Sequence, residues 1–131
     1  MSGKKILIID DEANLRLLLR SCLALGNYDI EEADNFASGV QKFQQWRPDV
    51  AIIDYVLPDK SGLELLSSFR QLDSQAILIM LTGNTHKELA QQANQKGANY
   101  FLTKPFSVDE LLSVIRNLLS DRPLIARHGT P

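Results

Sequence analysis

Three short apolar runs constrain this 131-residue chain most: Ile6-Leu7-Ile8-Ile9, Val50-Ala51-Ile52-Ile53 and Ile77-Leu78-Ile79-Met80-Leu81. Each is rich in β-branched residues, and none alternates with polar ones. A strand with one wet face alternates, whereas an unbroken apolar strand is covered on both faces, as in a parallel sheet flanked by helices. Two weaker segments extend the set. Tyr28–Ala33 alternates and predicts an edge strand, and Tyr100–Thr103 predicts a last one.

Helical patterns separate these runs. Leu15, Leu18, Leu19 and Cys22 follow the i, i+3, i+4, i+7 spacing, with Gly26 placed to end the helix and Cys22 expected as a small core residue. Phe36, Val40 and Phe43 form a second stripe that stops before Pro48, with Trp46 as a packing residue. Leu65, Leu66 and Phe69 form a third; Leu89, Ala90 and Ala93 form a fourth, closed by Gly97; Leu111, Leu112, Ile115, Leu118 and Leu119 form the last. Ser61/Glu64, Thr85/Glu88 and Ser107/Glu110 have the spacing of a capping box, in which side chains satisfy the orphan amides of a helix start. Strand and helix alternating five times predict an α/β fold, one parallel sheet with helices on both faces. Right-handed crossovers then bring the carboxyl ends of all five strands to one edge, where ligands of such sheets bind.

Composition narrows the function. With 14 basic against 16 acidic side chains and a net charge of −2, the domain lacks the basic surface that direct nucleic-acid binding requires. The single cysteine, Cys22, rules out an internal disulfide and predicts a reducing, cytoplasmic setting. No apolar run reaches membrane-spanning length, so no membrane partner is expected, and Met1–Lys5 is too short and polar for a signal peptide. The pattern breaks at Arg122-Pro123, which divides the chain into a domain over 1–121 and a tail or linker stub over 122–131.

The residues at the strand ends carry the chemistry. The first strand runs into Asp10-Asp11 and then Glu12, the third ends at Asp54, the fourth at Thr82-Gly83 and the fifth at Lys104-Pro105. Each alone has an ordinary explanation, such as acidic residues opening a helix or a Lys-Pro surface turn. Their joint arrival at four strand ends is the informative fact. Carboxylates held close raise each other's cost of ionisation and recruit a cation; oxygen-only ligands select a hard one. Mg²⁺ commonly takes one or two carboxylates and completes its shell with water and phosphate oxygens. A carboxylate is also a competent phosphoryl nucleophile.

Ile6–Glu12 (ILIIDDE), Val50–Gly62 (VAIIDYVLPDKSG), Met80–Gly83 (MLTG) and Gly97–Phe106 (GANYFLTKPF) resemble, in order and spacing, the signature segments of the response-regulator receiver domain of two-component signal transduction. The resemblance covers about Lys4–Leu119. It implies a flavodoxin-like (βα)5 three-layer sandwich with sheet order 2-1-3-4-5. It makes Asp54 the phosphoacceptor, supplied by a phosphohistidine of a histidine kinase or histidine phosphotransfer protein. It assigns Mg²⁺ to Asp11, Asp54, the backbone carbonyl of Val56 and, through water, Asp10. Thr82 and Lys104 would engage the phosphoryl group, Pro105 would hold the lysine loop through a cis peptide bond, and Thr82 and Phe101 would switch on phosphorylation. Gly83 leaves space beside Thr82.

The resemblance also places the readout on the fourth helix, fifth strand and fifth helix, about Thr85–Leu119, and implies a phosphorylation-dependent dimer or an output domain as partner. Asn99-Tyr100 departs from the acidic pair of one dimerising subfamily, so that particular dimer is not expected. By the same resemblance, Val56 and Asn84 would occupy the two positions that tune hydrolysis of the acyl phosphate; Val56, unable to orient water, predicts a long-lived phosphorylated state. His86 and His128 lack metal-ligand companions and are expected in solvent.

Two other classes use similar parts. A Mg²⁺-dependent phosphatase with an aspartyl nucleophile needs Asp-x-Asp after the first strand and a cap domain; Asp10-Asp11-Glu12 lacks the spacing, and 131 residues are expected to leave no room for the cap. A flavin carrier would place Ser, Thr and Gly where this chain places acid. The expected product is a signalling domain that promotes its own phosphorylation and dephosphorylation, not a turnover enzyme.

Overall fold

The computed structural model describes residues 3–83 and 87–121. Five strands alternate with five helices: β1 (Lys5–Ile9), α1 (Ala13–Leu23), β2 (Asp29–Ala33), α2 (Phe36–Trp46), β3 (Val50–Asp54), α3 (Gly62–Leu72), β4 (Ile77–Thr82), α4 (Lys87–Gln95), β5 (Tyr100–Thr103) and α5 (Val108–Ser120). All pairings are parallel, and the sheet order is β2-β1-β3-β4-β5. This is the flavodoxin-like sandwich, with the alternating segment at one edge as its sequence requires.

The period of two along each strand divides the interior into two cores. Leu7, Ile9, Ala51, Ile53, Leu78 and Met80 face α2, α3 and α4, meeting Phe43, Leu65, Leu66, Phe69 and Ala93. Ile6, Ile8, Val50, Ile52, Ile77 and Ile79 face α1 and α5, meeting Leu19, Leu23, Leu111 and Ile115. The β1, β3 and β4 runs show no alternation because both of their faces are buried. Phe43 and Phe69 stack between α2 and α3 with ring centroids 4.0 Å apart; burying one such ring stabilises by about 1.5–3 kcal/mol.

Two helix starts follow their sequence signals, those of α3 and α5. Ser61 and Glu64 close a full capping box on α3. Ser107 caps α5 by accepting the Glu110 N–H, but Glu110 does not reciprocate, its carboxylate lying 3.5 Å from the Tyr100 hydroxyl instead. The Thr85/Glu88 pair falls partly outside the described residues.

The first helix departs from expectation. Its buried residues are Leu19 and Leu23, while Leu18 is half exposed and Cys22 lies outside both cores. Leu15, Leu19 and Leu23 repeat every four residues, and this row packs on the sheet, turning Leu18 and Leu17 outward. Gly26 does not end the helix either. α1 stops at Leu23, a tight 3-10 turn carries the chain through Gly26, and Asn27 takes the left-handed conformation at φ 62°. Asparagine tolerates this region better than most residues with a side chain. Trp46 is half-buried at the end of α2, beneath the Lys5 ammonium at 5.6 Å.

Candidate functional site

The register of the sheet assembles the site. Ile9 lies beside Ile53, Asp54 beside Leu81, and Thr82 beside Thr103, so the residues that end or follow β1, β3, β4 and β5 meet at one edge. Asp10, Asp54 and Thr82 are buried there, and Asp11 is exposed. One carboxylate oxygen from each of Asp10, Asp11 and Asp54 lies within 4.8 Å of the others. Lys104 Nζ reaches in from the end of β5, 3.4 Å from Asp54 Oδ1, 3.7 Å from Asp10 Oδ2 and 3.9 Å from Glu12 Oε1. The Lys104 N–H donates to the Thr82 carbonyl at 2.7 Å, and the Lys104–Pro105 peptide is cis.

Charge in this pocket is undercompensated. Asp10 Oδ1 accepts the Glu12 N–H at 2.8 Å, but Asp10 Oδ2 is buried with no hydrogen-bond partner among the described residues. Burial, with the neighbouring Asp54 charge adding to it, pushes the Asp10 carboxyl up to about 6, against the pull of the Glu12 amide and Lys104. Burial also raises Asp54, opposed chiefly by Lys104. One ammonium facing three carboxylates and a buried, unbonded oxygen leaves room electrostatically for a hard divalent cation. The donor set fits Mg²⁺.

Local hydrogen bonding shapes the loop after Asp54. Tyr55 accepts the Gly62 N–H at 2.7 Å, and Val56 forms an isolated antiparallel bridge with Ser61. The Val56 N–H points to Asp54 Oδ1 at 3.5 Å, and its side chain is exposed. Phe101 is half-buried against the α2–α4 core and borders a cavity of about 260 Å³ with Ala90, Asn94 and Ala98. A β-carbon on Gly83 would meet nothing within 4 Å among the described residues beyond its chain neighbours. Asn84 and His86 lie outside the described residues, as do His128 and the tail.

The arrangement is matched by known proteins. The family model for the response regulator receiver domain matches residues 6–116. The chain belongs to the response-regulator receiver family. It is 32% identical over 117 residues to the chemotaxis protein CheY of Bacillus subtilis, covering 88% of this chain and 98% of that one. It is 41% identical over 112 residues to the transcriptional regulatory protein KdpE of Staphylococcus aureus, covering 86% of this chain but 48% of the relative. Among solved structures, a CheY-like receiver domain from Methanospirillum hungatei JF-1 superposes with a TM-score of 0.88 at 30% identity, covering 92% and 96% of the two chains. The receiver domain therefore spans a whole CheY and about half of a KdpE. Receiver domains are phosphoacceptor modules of two-component signalling, and this chain is one of them. Among its described residues, no helix is long and apolar enough to cross a membrane.

Three contributors carry no separate signal in the sequence. Arg16 of α1 donates to the Asp10 carbonyl at 2.6 Å while its Nε pairs with Glu32, fixing the end of β1 from the side. Gly62 lets α3 begin against the Asp54 carbonyl, where a β-carbon would sit 2.2 Å from the oxygen. Asp59 caps a helix to which it does not belong. Gly62 and Asp59 lie inside the VAIIDYVLPDKSG segment, but neither residue type there announces a tertiary role.

Proposed function

We propose that Asp54 accepts a phosphoryl group from a phosphohistidine of a histidine kinase or histidine phosphotransfer protein. In the transfer, an Asp54 carboxylate oxygen forms the new P–O bond as the P–N bond breaks; the bonding pair returns to the ring nitrogen, and the donor leaves as neutral imidazole, keeping the proton its other ring nitrogen already carries. The observation that carries this reading is the buried Asp54 carboxylate set 3.4 Å from Lys104 Nζ, beside Asp10 and Asp11. Asp11, Asp54 and the Val56 carbonyl would hold Mg²⁺ directly, and Asp10 through water. The ion would supply positive charge to the phosphoryl oxygens. Lys104 stabilises the same oxygens from the other side, and its attachment to Thr82 keeps the two β-strand ends in register. Phosphoryl transfer needs in-line placement and charge neutralisation and little else.

Thr82 and Phe101 are the switch pair in this reading. Thr82 draws toward the phosphoryl group, and Phe101 repacks against the adjoining cavity, altering the surface of α4, β5 and α5. That surface is read by an output domain or by a second copy of the domain.

Beryllofluoride, a phosphoryl mimic, tests the reading by thermal denaturation. With Mg²⁺ it should stabilise the wild type, by about 2.7 kcal/mol at a hundredfold excess over its dissociation constant. The effect should vanish without Mg²⁺ and in Asp54→Asn. Equal stabilisation of Asp54→Asn would place the acceptor elsewhere. The Val56 position makes a kinetic prediction: Val56→Asn should lose its phosphoryl group faster than wild type when hydrolysis is followed by mass. Equal rates would show that a polar side chain at position 56 does not orient the attacking water.

A further inference from the structure

The loop that follows Asp54 is clasped to α2. Asp59, at the exposed tip, accepts the Phe36 N–H at 2.8 Å on Oδ1 and the Ala37 N–H at 3.2 Å on Oδ2. These are the first two amides of α2, which have no partner within their own helix. The helix's local cap, Asn35, takes a different amide, that of Ser38, at 2.8 Å. Beside Asp59, the Lys60 ammonium lies 4.7 Å above the Phe36 ring. A carboxylate at a helix amino end is favoured both by the open N–H groups and by the helix dipole. The amide donors hold the Asp59 carboxyl below the usual carboxylate range.

The neighbouring bonds of this loop run elsewhere. Tyr55 pairs with Gly62 and donates to Leu81 of β4, Val56 bridges Ser61, and Ser61 closes its box with Glu64. Those contacts join the two ends of the loop to each other and, at Tyr55, to β4. Asp59 and Lys60 tie the loop that runs on from Val56 to the start of α2.

We propose that Asp59 is a positioning residue for divalent-cation binding: by clasping the amino end of α2, it fixes the loop that presents the Val56 carbonyl to the site. The inference rests on the reading of that carbonyl as a metal ligand. Asp59 touches neither the ion nor the phosphoryl group in this scheme. Its effect passes through the loop backbone, as partners outside the ligand shell commonly tune metal affinity.

Calorimetric Mg²⁺ titration of the folded proteins, well below their melting temperatures, tests the proposal with no phosphodonor present. Asp59→Ala should bind Mg²⁺ on the order of tenfold more weakly than wild type. Asp59→Asn, with one acceptor oxygen left, should fall between them. Asn35→Ala removes the other cap of the same helix and should lower the melting temperature while binding Mg²⁺ as wild type does. Faster amide exchange at Phe36 and Ala37 in Asp59→Ala would report the opened clasp. Wild-type affinity in Asp59→Ala overturns the proposal, as does an equal loss in Asn35→Ala, which would trace the effect to helix stability. A wild-type protein that binds no Mg²⁺ would overturn the metal reading itself, and the inference with it.

Discussion

Asp10→Asn should be markedly more stable than wild type at pH 7.5 in the absence of divalent metal. The folded protein holds the Asp10 carboxyl at about 6 against an ordinary value of 3.8, chiefly by burying it. An acid whose pKa rises on folding binds its proton more tightly in the native state, so stability falls as pH rises between those two values. Above pH 6 the whole penalty is in place, on the order of 3 kcal/mol at 1.36 kcal/mol per unit. The amide oxygen of Asn can still accept the Glu12 N–H, so the variant keeps the bond and loses the charge. Asp54, raised for the same reason, adds a penalty of the same sign.

Urea melts at pH 5 and pH 7.5 in a chelator separate the two proteins. Wild type should gain stability on acidification across that window, and Asp10→Asn should change less. Excess Mg²⁺ should narrow or reverse the difference at pH 7.5, because an ion held by the folded wild type would offset the repulsion. Identical metal-free stabilities at pH 7.5 would contradict this account of the site's electrostatics.

The second large effect concerns Gly62. A β-carbon there would lie 2.2 Å from the Asp54 carbonyl oxygen and 2.9 Å from the Tyr55 Cα. Both are backbone atoms, so no rotamer change relieves the clash. Either α3 moves away from β3 or the Asp54 peptide moves with it. Overpacking of this kind costs roughly 3 kcal/mol, and more where backbone must shift. Gly62→Ala should therefore lose that much stability and, where folded, bind Mg²⁺ poorly. Gly83→Ala is the control, since its β-carbon meets nothing within 4 Å among the described residues beyond its chain neighbours and its melting temperature should stay near wild type. Equal melting temperatures for the two alanine variants would contradict the close approach of α3 to Asp54.

The contrast between these glycines shows what a sequence of this kind reveals. β1, β3 and β4 were legible because burial on both faces leaves an unbroken apolar run, and the strand-end residues were legible because parallel strands all terminate at one edge. α3 was legible through Ser61 and Glu64, whose capping geometry depends on neighbours three residues apart. α1 was not. Leu15, Leu17, Leu18, Leu19, Cys22 and Leu23 are apolar almost all round the helix, so periodicity alone does not choose a face. The sheet does, leaving Leu17 63% and Leu18 50% exposed.

Ties between distant elements leave even less trace. Asp59 caps amides 23 and 22 residues earlier in the chain, and Arg16 supports Asp10 while pairing with Glu32 of β2. Local spacing does not encode such contacts, because the partner is chosen by how helices and loops settle on the sheet. Gly62 is the same kind of case: its requirement comes from the Asp54 carbonyl, not from its own backbone conformation.

The central claim is that Asp54 is the phosphoacceptor of a Mg²⁺-dependent site. Intact-protein mass after incubation with acetyl phosphate tests it most directly. With Mg²⁺, the wild type should gain the mass of one phosphoryl group, and both a chelator-treated sample and Asp54→Asn should stay at their starting masses. An adduct of equal yield on Asp54→Asn, or in the absence of metal, would contradict it.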